Sequence, residues 1–236
     1  MCGMKSAERK VWMSLKFRLH TIRMVHNKFI NYSYLGIDNE SKSAFVIDPA
    51  WDIQETLTIL KDERANLKSI LLTHSHFDHM NKAVQLANLT NSTIYISQEE
   101  YEYYKPKLCN VSLSHHKDQI KIGNTIVYAY LTPGHTKGSM CYKAENLLFT
   151  GDTLFIEGCG ICNADGGNPR EMFESLQFLK SIIKEGNFIY PGHAFLFQVG
   201  QPYQCMQNNI YMNIEDIDKF ISFRMRKDQN VNYNFI

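Results

Sequence analysis

The stretch Thr73-His74-Ser75-His76-Phe77-Asp78-His79 constrains this chain more than any other. Within six positions it sets three imidazoles and one carboxylate, directly after Ser69-Ile70-Leu71-Leu72, a short apolar run that reads as a buried strand. Side chains two apart at a strand end point the same way, so His74 and His76 can converge on one ion. Asp78 and His79 fall where the chain turns toward the next helical pattern, and from there they can face a second position beside the first. Histidine is a frequent ligand for zinc and related metals, and a carboxylate suits the harder edge of that range. The plain alternative is a surface loop rich in histidine. It would gather three of the chain's nine histidines and an aspartate at one strand end without cause.

Three further places repeat the arrangement: a metal-capable side chain just past a strand, in a glycine-containing turn. Thr132-Pro133-Gly134-His135 follows the strand expected over 126–131, Thr150-Gly151-Asp152 follows 147–149, and Pro191-Gly192-His193 follows 188–190. Glycine lets the backbone turn sharply there and present the next side chain. Taken singly, each is an ordinary turn. Together with the first stretch they bring five histidines and two aspartates to strand-end loops, enough for two ions with Asp152 placed to bridge. His20, His26, His115 and His116 lack this setting and are left out.

The remainder of the chain supplies a scaffold for such loops. Strands are expected over 15–23, 31–37, 44–48 and 92–96, and hairpins over 119–131, closed by Gly123-Asn124, and over 139–149. Helices are expected over 53–63 with Asp52 as N-cap, over 83–89, 98–104 and 169–183, and over 204–225. Residues 109–117 have no clear pattern. The strands fall into two groups, each with helices, which predicts two sheets packed between helices with the functional loops along one edge. Residues 1–14 are expected to be a disordered leader, 15–236 one domain with a short C-terminal helical extension, and 228–236 a tail.

With 44% hydrophobic and 21% charged residues the composition is that of an ordinary globular protein, and a formal net charge of +1 gives no reason to expect nucleic acid or an anionic membrane as partner. No run approaches the roughly 18 apolar residues of a membrane span, and no secretory signal is visible, so a cytoplasmic location is expected. The six cysteines are scattered; Cys159-Gly160-Ile161-Cys162 has redox or zinc-pair spacing, but without a second pair free thiols are the expectation.

The pattern His74-x-His76-x-Asp78-His79, then His135, Asp152 and His193, resembles that of the metallo-β-lactamase superfamily. That resemblance covers nearly the whole chain and implies an α/β fold, an αββα sandwich with a dinuclear site at one edge of its two sheets. It implies that His74, His76 and His135 hold a first metal ion, that Asp78, His79 and His193 hold a second, and that Asp152 bridges them. The ions implied are divalent, zinc first, with iron or manganese compatible with the ligand set. Gly151-Asp152-Thr153-Leu154-Phe155, Glu171 to Leu176 and Tyr190 to His193 resemble glyoxalase II, whose members hydrolyse acyl-glutathione thioesters. Where that family has a basic residue after Gly160 and a Tyr-Thr pair after its last histidine, this chain has Ile161-Cys162-Asn163 and Ala194-Phe195-Leu196-Phe197. The stretch from Cys159 to Gln177 is similar instead to the zinc-dependent hydrolases found with bacterial polyketide synthases, which implies acyl thioesters on an acyl carrier protein.

The expected chemistry is attack on a thioester carbonyl by a hydroxide made available by the metal pair, with Asp78 as the catalytic residue that orients it. A thiolate, whose conjugate acid has a pKa of roughly 8.5, departs without a general acid, which favours a thioester over an amide. Two other activities remain open within the same pattern: hydrolysis of hydroxyacylglutathione, and oxygenation of a persulfide at a single iron. A non-catalytic binding module would be signalled by lost ligands, and all seven are present.

Overall fold

The structure, a computed structural model, describes residues 11–14, 16–27, 29–195 and 197–227. Most of the expected leader (1–10), Leu15, Leu196 and the expected tail (228–236) lie outside the described residues. The N-terminal sheet contains β1 (Val11–Met13), β2 (Phe17–His26), β3 (Phe29–Asp38), β4 (Ser43–Ile47), β5 (Asn66–Leu71), β6 (Thr93–Ser97) and β7 (Val111–Ser114), in that order across the sheet. Pairing is antiparallel from β1 to β4 and parallel from β4 to β7. The second sheet contains β8 (Gln119–Ile122), β9 (Thr125–Leu131), β10 (Met140–Ala144), β11 (Leu147–Gly151), β12 (Phe188–Pro191) and β13 (Gln201–Pro202), with β11 and β12 its parallel pair.

Alternation along the strands explains the layering. In β4, Phe45 and Ile47 enter the core between the two sheets, while Ala44 and Val46 face helices α1 (Gln54–Asp62) and α3 (Ala83–Thr90), which cover the N-terminal sheet. In β11, Leu147 and Phe149 face the same inter-sheet core, and Leu148 faces α5 (Pro169–Ile182) and α6 (Ile217–Arg224). The result is the expected four-layer αββα sandwich. The short helices α2 (Phe77–Met80) and α4 (Gln98–Tyr104) follow β5 and β6. No helix among the described residues is long and apolar enough to cross a membrane.

Several local expectations need correcting. Val11–Met13, inside the stretch read as leader, pairs with Arg18–His20 as edge strand β1, and Trp12 packs on Phe17. Ile53, not Asp52, occupies the cap position of α1; the Asp52 carboxylate instead accepts the Gln54 N–H at 2.9 Å. By contrast α5 starts as its sequence implies, with the Asn168 side chain accepting from the Arg170 and Glu171 amides ahead of Pro169. The unassigned 109–117 segment contains β7, which pairs parallel to β6. The helix expected over 204–225 is broken into two 3₁₀ turns and α6. Asn209 causes the first break: its carbonyl oxygen accepts the Tyr211 and Met212 amides, and its amide donates to the Phe155 and Gly158 carbonyls. Asp216 then caps α6 afresh.

Candidate metal centre

The four loops that carry the predicted ligands leave the carboxyl ends of β5, β9, β11 and β12, along one edge of both sheets, and hydrogen bonds across the sandwich hold that edge together. Tyr142 of the second sheet donates to the Leu72 carbonyl at 2.9 Å, and Tyr34 of the first donates to the Pro191 carbonyl. Backbone bonds Met140 N to Thr73 O (2.7 Å) and Tyr32 N to Gly192 O (2.9 Å) tie two of the turns to β10 and β3, and Gly192 N to Gly151 O (2.9 Å) joins two of the ligand loops directly. Glycine is required at two of these turns. Gly151 has φ +48°, and a Cβ there would lie 2.5 Å from Thr73 Oγ1; a Cβ on Gly192 would lie 2.6 Å from both Asp152 Oδ1 and His79 Cε1.

All seven predicted residues come together. His76 Nδ1 lies 3.1 Å from His74 Nε2 and 3.0 Å from His135 Nε2, forming one trio of converging ring nitrogens. Asp78, His79 and His193 form a second trio, with Asp78 Oδ2 3.3 Å from His193 Nε2 and 3.7 Å from His79 Nε2. Asp152 stands between them: Oδ2 is 3.5 Å from His135 Nε2 and 3.6 Å from His193 Nε2, and Oδ1 is 3.4 Å from His79 Nε2. The omitted histidines stay apart from this cluster; His116, for instance, packs on Phe178. Cys159 and Cys162 are free, buried thiols, and burial pushes Cys162 up to about 11, so neither is poised as a thiolate.

Ring orientation is set from behind. Thr73 Oγ1 gives its one proton to Asp48 Oδ2 and therefore accepts from His74 Nδ1 at 2.9 Å. His79 Nδ1 donates to Asp48 Oδ2 at 2.9 Å, His135 Nδ1 to the Ile161 carbonyl at 2.8 Å, and His193 Nδ1 to the Ile30 carbonyl at 2.8 Å. Each of these four rings thus has its Nδ1 engaged and its Nε2 turned into the site, as outer partners do for metal-ligating histidines. His76 is the exception and faces the site through Nδ1. Asp48, His74 and His79 also lie close enough to be read as a further ligand group, but Asp48 is committed to Thr73 and His79 and so belongs to the supporting layer.

The donor set fits two divalent cations. Three imidazole nitrogens directed at one another from about 3 Å are brought together favourably by a shared cation. On the other side, His79 Nε2 and Asp152 Oδ1 are buried with no hydrogen-bond partner, both facing the site. Burial pushes His74, His76 and His135 below the usual imidazole value, His76 to about 4, with neighbouring imidazoles adding to the effect. Burial acts the same way on His79 and His193, yet the carboxylates outweigh it: Asp152, Asp78 and Asp48 carry His79 up to about 10. Burial would raise Asp78 and Asp152; the adjacent imidazoles hold both below the usual carboxylate range.

Three supporting residues were missed by sequence reasoning. Asp48 ends a strand, as the ligands do, and the same strand-end rule extended to carboxylates without a glycine would have found it. Glu100, fully buried in α4, accepts the Ser75 amide and hydroxyl through Oε1 (2.7 Å each) and the Gly138 amide and Thr136 hydroxyl through Oε2 (2.8 Å each), tying the His76 loop to the His135 loop. Asn31 donates to Asp78. For these two no sequence signal existed, since a glutamate among tyrosines and an asparagine opening a strand have many other uses.

A family description, "Metallo-beta-lactamase superfamily", matches residues 28–193. The chain is 41% identical over 225 residues to "Probable polyketide biosynthesis zinc-dependent hydrolase PksB" of Bacillus subtilis (strain 168), covering 94% of this chain and 100% of that protein. It is 33% identical over 193 residues to "Probable hydroxyacylglutathione hydrolase SPCC13B11.03c" of Schizosaccharomyces pombe, covering 77% of this chain and 70% of that one. The crystal structure of ETHE1 from Myxococcus xanthus shares the fold, with a TM-score of 0.78 at 22% identity over 91% of this chain and 93% of that one. With ligand spacing, sandwich topology and matched length all in agreement, the chain belongs to the metallo-β-lactamase superfamily.

Proposed function

We propose that this protein is a zinc-dependent hydrolase of acyl thioesters, and that its substrates are acyl groups carried on an acyl carrier protein. The observation that carries the reading is the pair of trios with Asp152 set between them. His74, His76 and His135 would hold one ion and Asp78, His79 and His193 the other, with Asp152 shared. Bound there, two divalent ions supply a water of lowered pKa and polarise a substrate carbonyl.

The chain's own side chains do the rest. Asp78, kept ionised by His79, His193 and Asn31, is an acceptor that would take the O–H of the attacking water and so turn the water's oxygen lone pair toward the thioester carbon. The water gives up one proton to solvent and its oxygen bonds to the carbonyl carbon. The C–S bond breaks, the sulfur leaves with the electron pair as thiolate, and the acid product loses its remaining proton to solvent as a carboxylate. Such a leaving group needs no acid at neutral pH, and each histidine and aspartate of the cluster already has a place as ligand or as orienting group.

Two findings favour a carrier-linked substrate over glutathione. The fully covered relative at 41% identity is named for polyketide biosynthesis. At the site itself, the position where glyoxalase II enzymes have a basic residue is Ile161, 37% exposed, whose carbonyl accepts from His135. Arg224, Arg226 and Lys227 echo the basic C-terminal segment of those enzymes, and both arginines donate to Tyr211 Oη. Hydroxyacylglutathione hydrolysis is the second reading, favoured by the 33% relative.

Thiol release from acyl-pantetheine or acyl carrier protein, measured beside acyl-glutathione, separates the two. Faster turnover of the carrier-linked ester is expected; equal or faster turnover of the glutathione ester would overturn the carrier assignment. One iron per chain with oxygen uptake on a persulfide would overturn hydrolysis altogether.

A further inference from the structure

Behind Asp78 stands a hydrogen-bonded pair, Asn31 and Trp51, whose geometry bears on how that carboxylate is presented. Asn31, 1% exposed at the start of the inward part of β3, places Nδ2 at 2.9 Å from the Asp78 carbonyl and 3.0 Å from Asp78 Oδ2. Its Oδ1 accepts the indole N–H of Trp51 at 2.8 Å. The indole can only donate, so Oδ1 must face Trp51 and both amide hydrogens must face Asp78. The amide has one orientation, and one of its two donations meets the same carboxylate oxygen that faces His193 and His79.

Trp51 is itself held against its local preference. Its backbone has φ +52°, a region that bulky L residues rarely occupy, and its amide donates to Asn81 Oδ1 at 2.8 Å. The His26 ring stacks on the indole at 4.3 Å between centroids and 8° between planes, and Phe29 and Phe77 close its sides. Strained backbone that persists marks a position fixed by its surroundings, often near a functional site. Here the fixed group is the N–H aimed at Asn31.

We propose that Asn31 is the positioning residue for the second ion, orienting the Asp78 carboxylate toward His79 and His193, and that Trp51 fixes the direction in which the Asn31 amide donates. This rests on the reading of Asp78, His79 and His193 as an ion-holding trio. Asn31 touches neither ion nor substrate. Its effect is confined to how well Asp78 is presented, so the two ion positions should respond differently to its loss.

The experiment is zinc binding to the metal-stripped full chain, by competition with a chromogenic chelator, in Asn31→Ala, Trp51→Phe and Asp78→Ala. Asn31→Ala should weaken the second zinc by ~10–100-fold and leave the first within about 2-fold, since outer partners of ligands carry effects of that size. Trp51→Phe keeps an aromatic ring but loses the donor, and should weaken the second zinc by roughly 5-fold, about one hydrogen bond. Wild-type affinity for both ions in the two variants, or equal weakening of both ions, would overturn the proposal. If Asn31→Ala does not fold, Trp51→Phe decides by the same criteria. If Asp78→Ala still binds two zinc ions, the trio reading fails and takes the proposal with it; if only Asp78→Ala loses the second ion, the positioning role alone fails.

Discussion

The two ligand trios lie side by side, and their imidazoles are shifted in opposite directions. Burial leaves His74, His76 and His135 as neutral imidazoles, His76 near 4, each discouraged further by its neighbours. In the second trio the same burial is overridden: Asp152, Asp78 and Asp48 carry His79 up to about 10, so that it keeps its proton at neutral pH in the metal-free chain, and Asp152 and Asp78 raise His193. The difference comes from where the carboxylates stand, all three beside His79. An ion entering the first position meets lone pairs already free. One entering the second must displace the His79 proton, so its binding strengthens as pH rises through neutrality toward 10, while binding at the first, whose imidazoles are all lowered, depends less on pH there.

The largest break in this contrast is His76→Ala, which removes the nitrogen shared by both short contacts of the first trio. Thiol release should fall to background while circular dichroism shows the fold retained; full activity would mean the trio is misassigned. Next is Asp48→Ala, which strips the orienting carboxylate from His79. The second zinc should weaken by ~10–100-fold, and more than the first, in chelator competition. Loss confined to the first ion would reverse the assignment.

Glu100→Gln tests the loop tie on the side of the first trio. The buried carboxylate accepts four hydrogen bonds there, and exchanging it for an amide should cost about 2 kcal/mol. For a domain of this size that lowers the thermal midpoint by roughly 4–8 °C. An unchanged midpoint would show the tie to be dispensable. The smallest effect is read by adding zinc to weakly buffered metal-free protein at pH 7: the second equivalent should release about one proton, from His79, and the first fewer. Equal release at both steps would contradict the contrast.

The ligands were legible in the sequence because each obeys one rule, a metal-capable side chain where a strand ends in a turn, and seven such residues are hard to gather otherwise. The sandwich was legible because β2 alternates, β4 and β11 are apolar runs closed by turns, and α5 carries Pro169 and its apolar stripe openly. The edge strand β7 was not, since four residues give too few alternations to read. The 204–225 segment misled because helical periodicity continues across Asn209, whose break depends on Phe155 and Gly158 far away in sequence. For the same reason the supporting layer of Asp48, Glu100 and Asn31 was hidden: their roles are set by partners 25 to 47 residues distant.

The central claim is that two ion positions serve one thioester hydrolysis. Metal-stripped protein titrated with zinc, with thiol release from acyl-pantetheine followed at each addition, tests it most directly. Activity should climb until two zinc ions are bound per chain and then level off. A plateau at one ion per chain, or no thiol released at two, would contradict it.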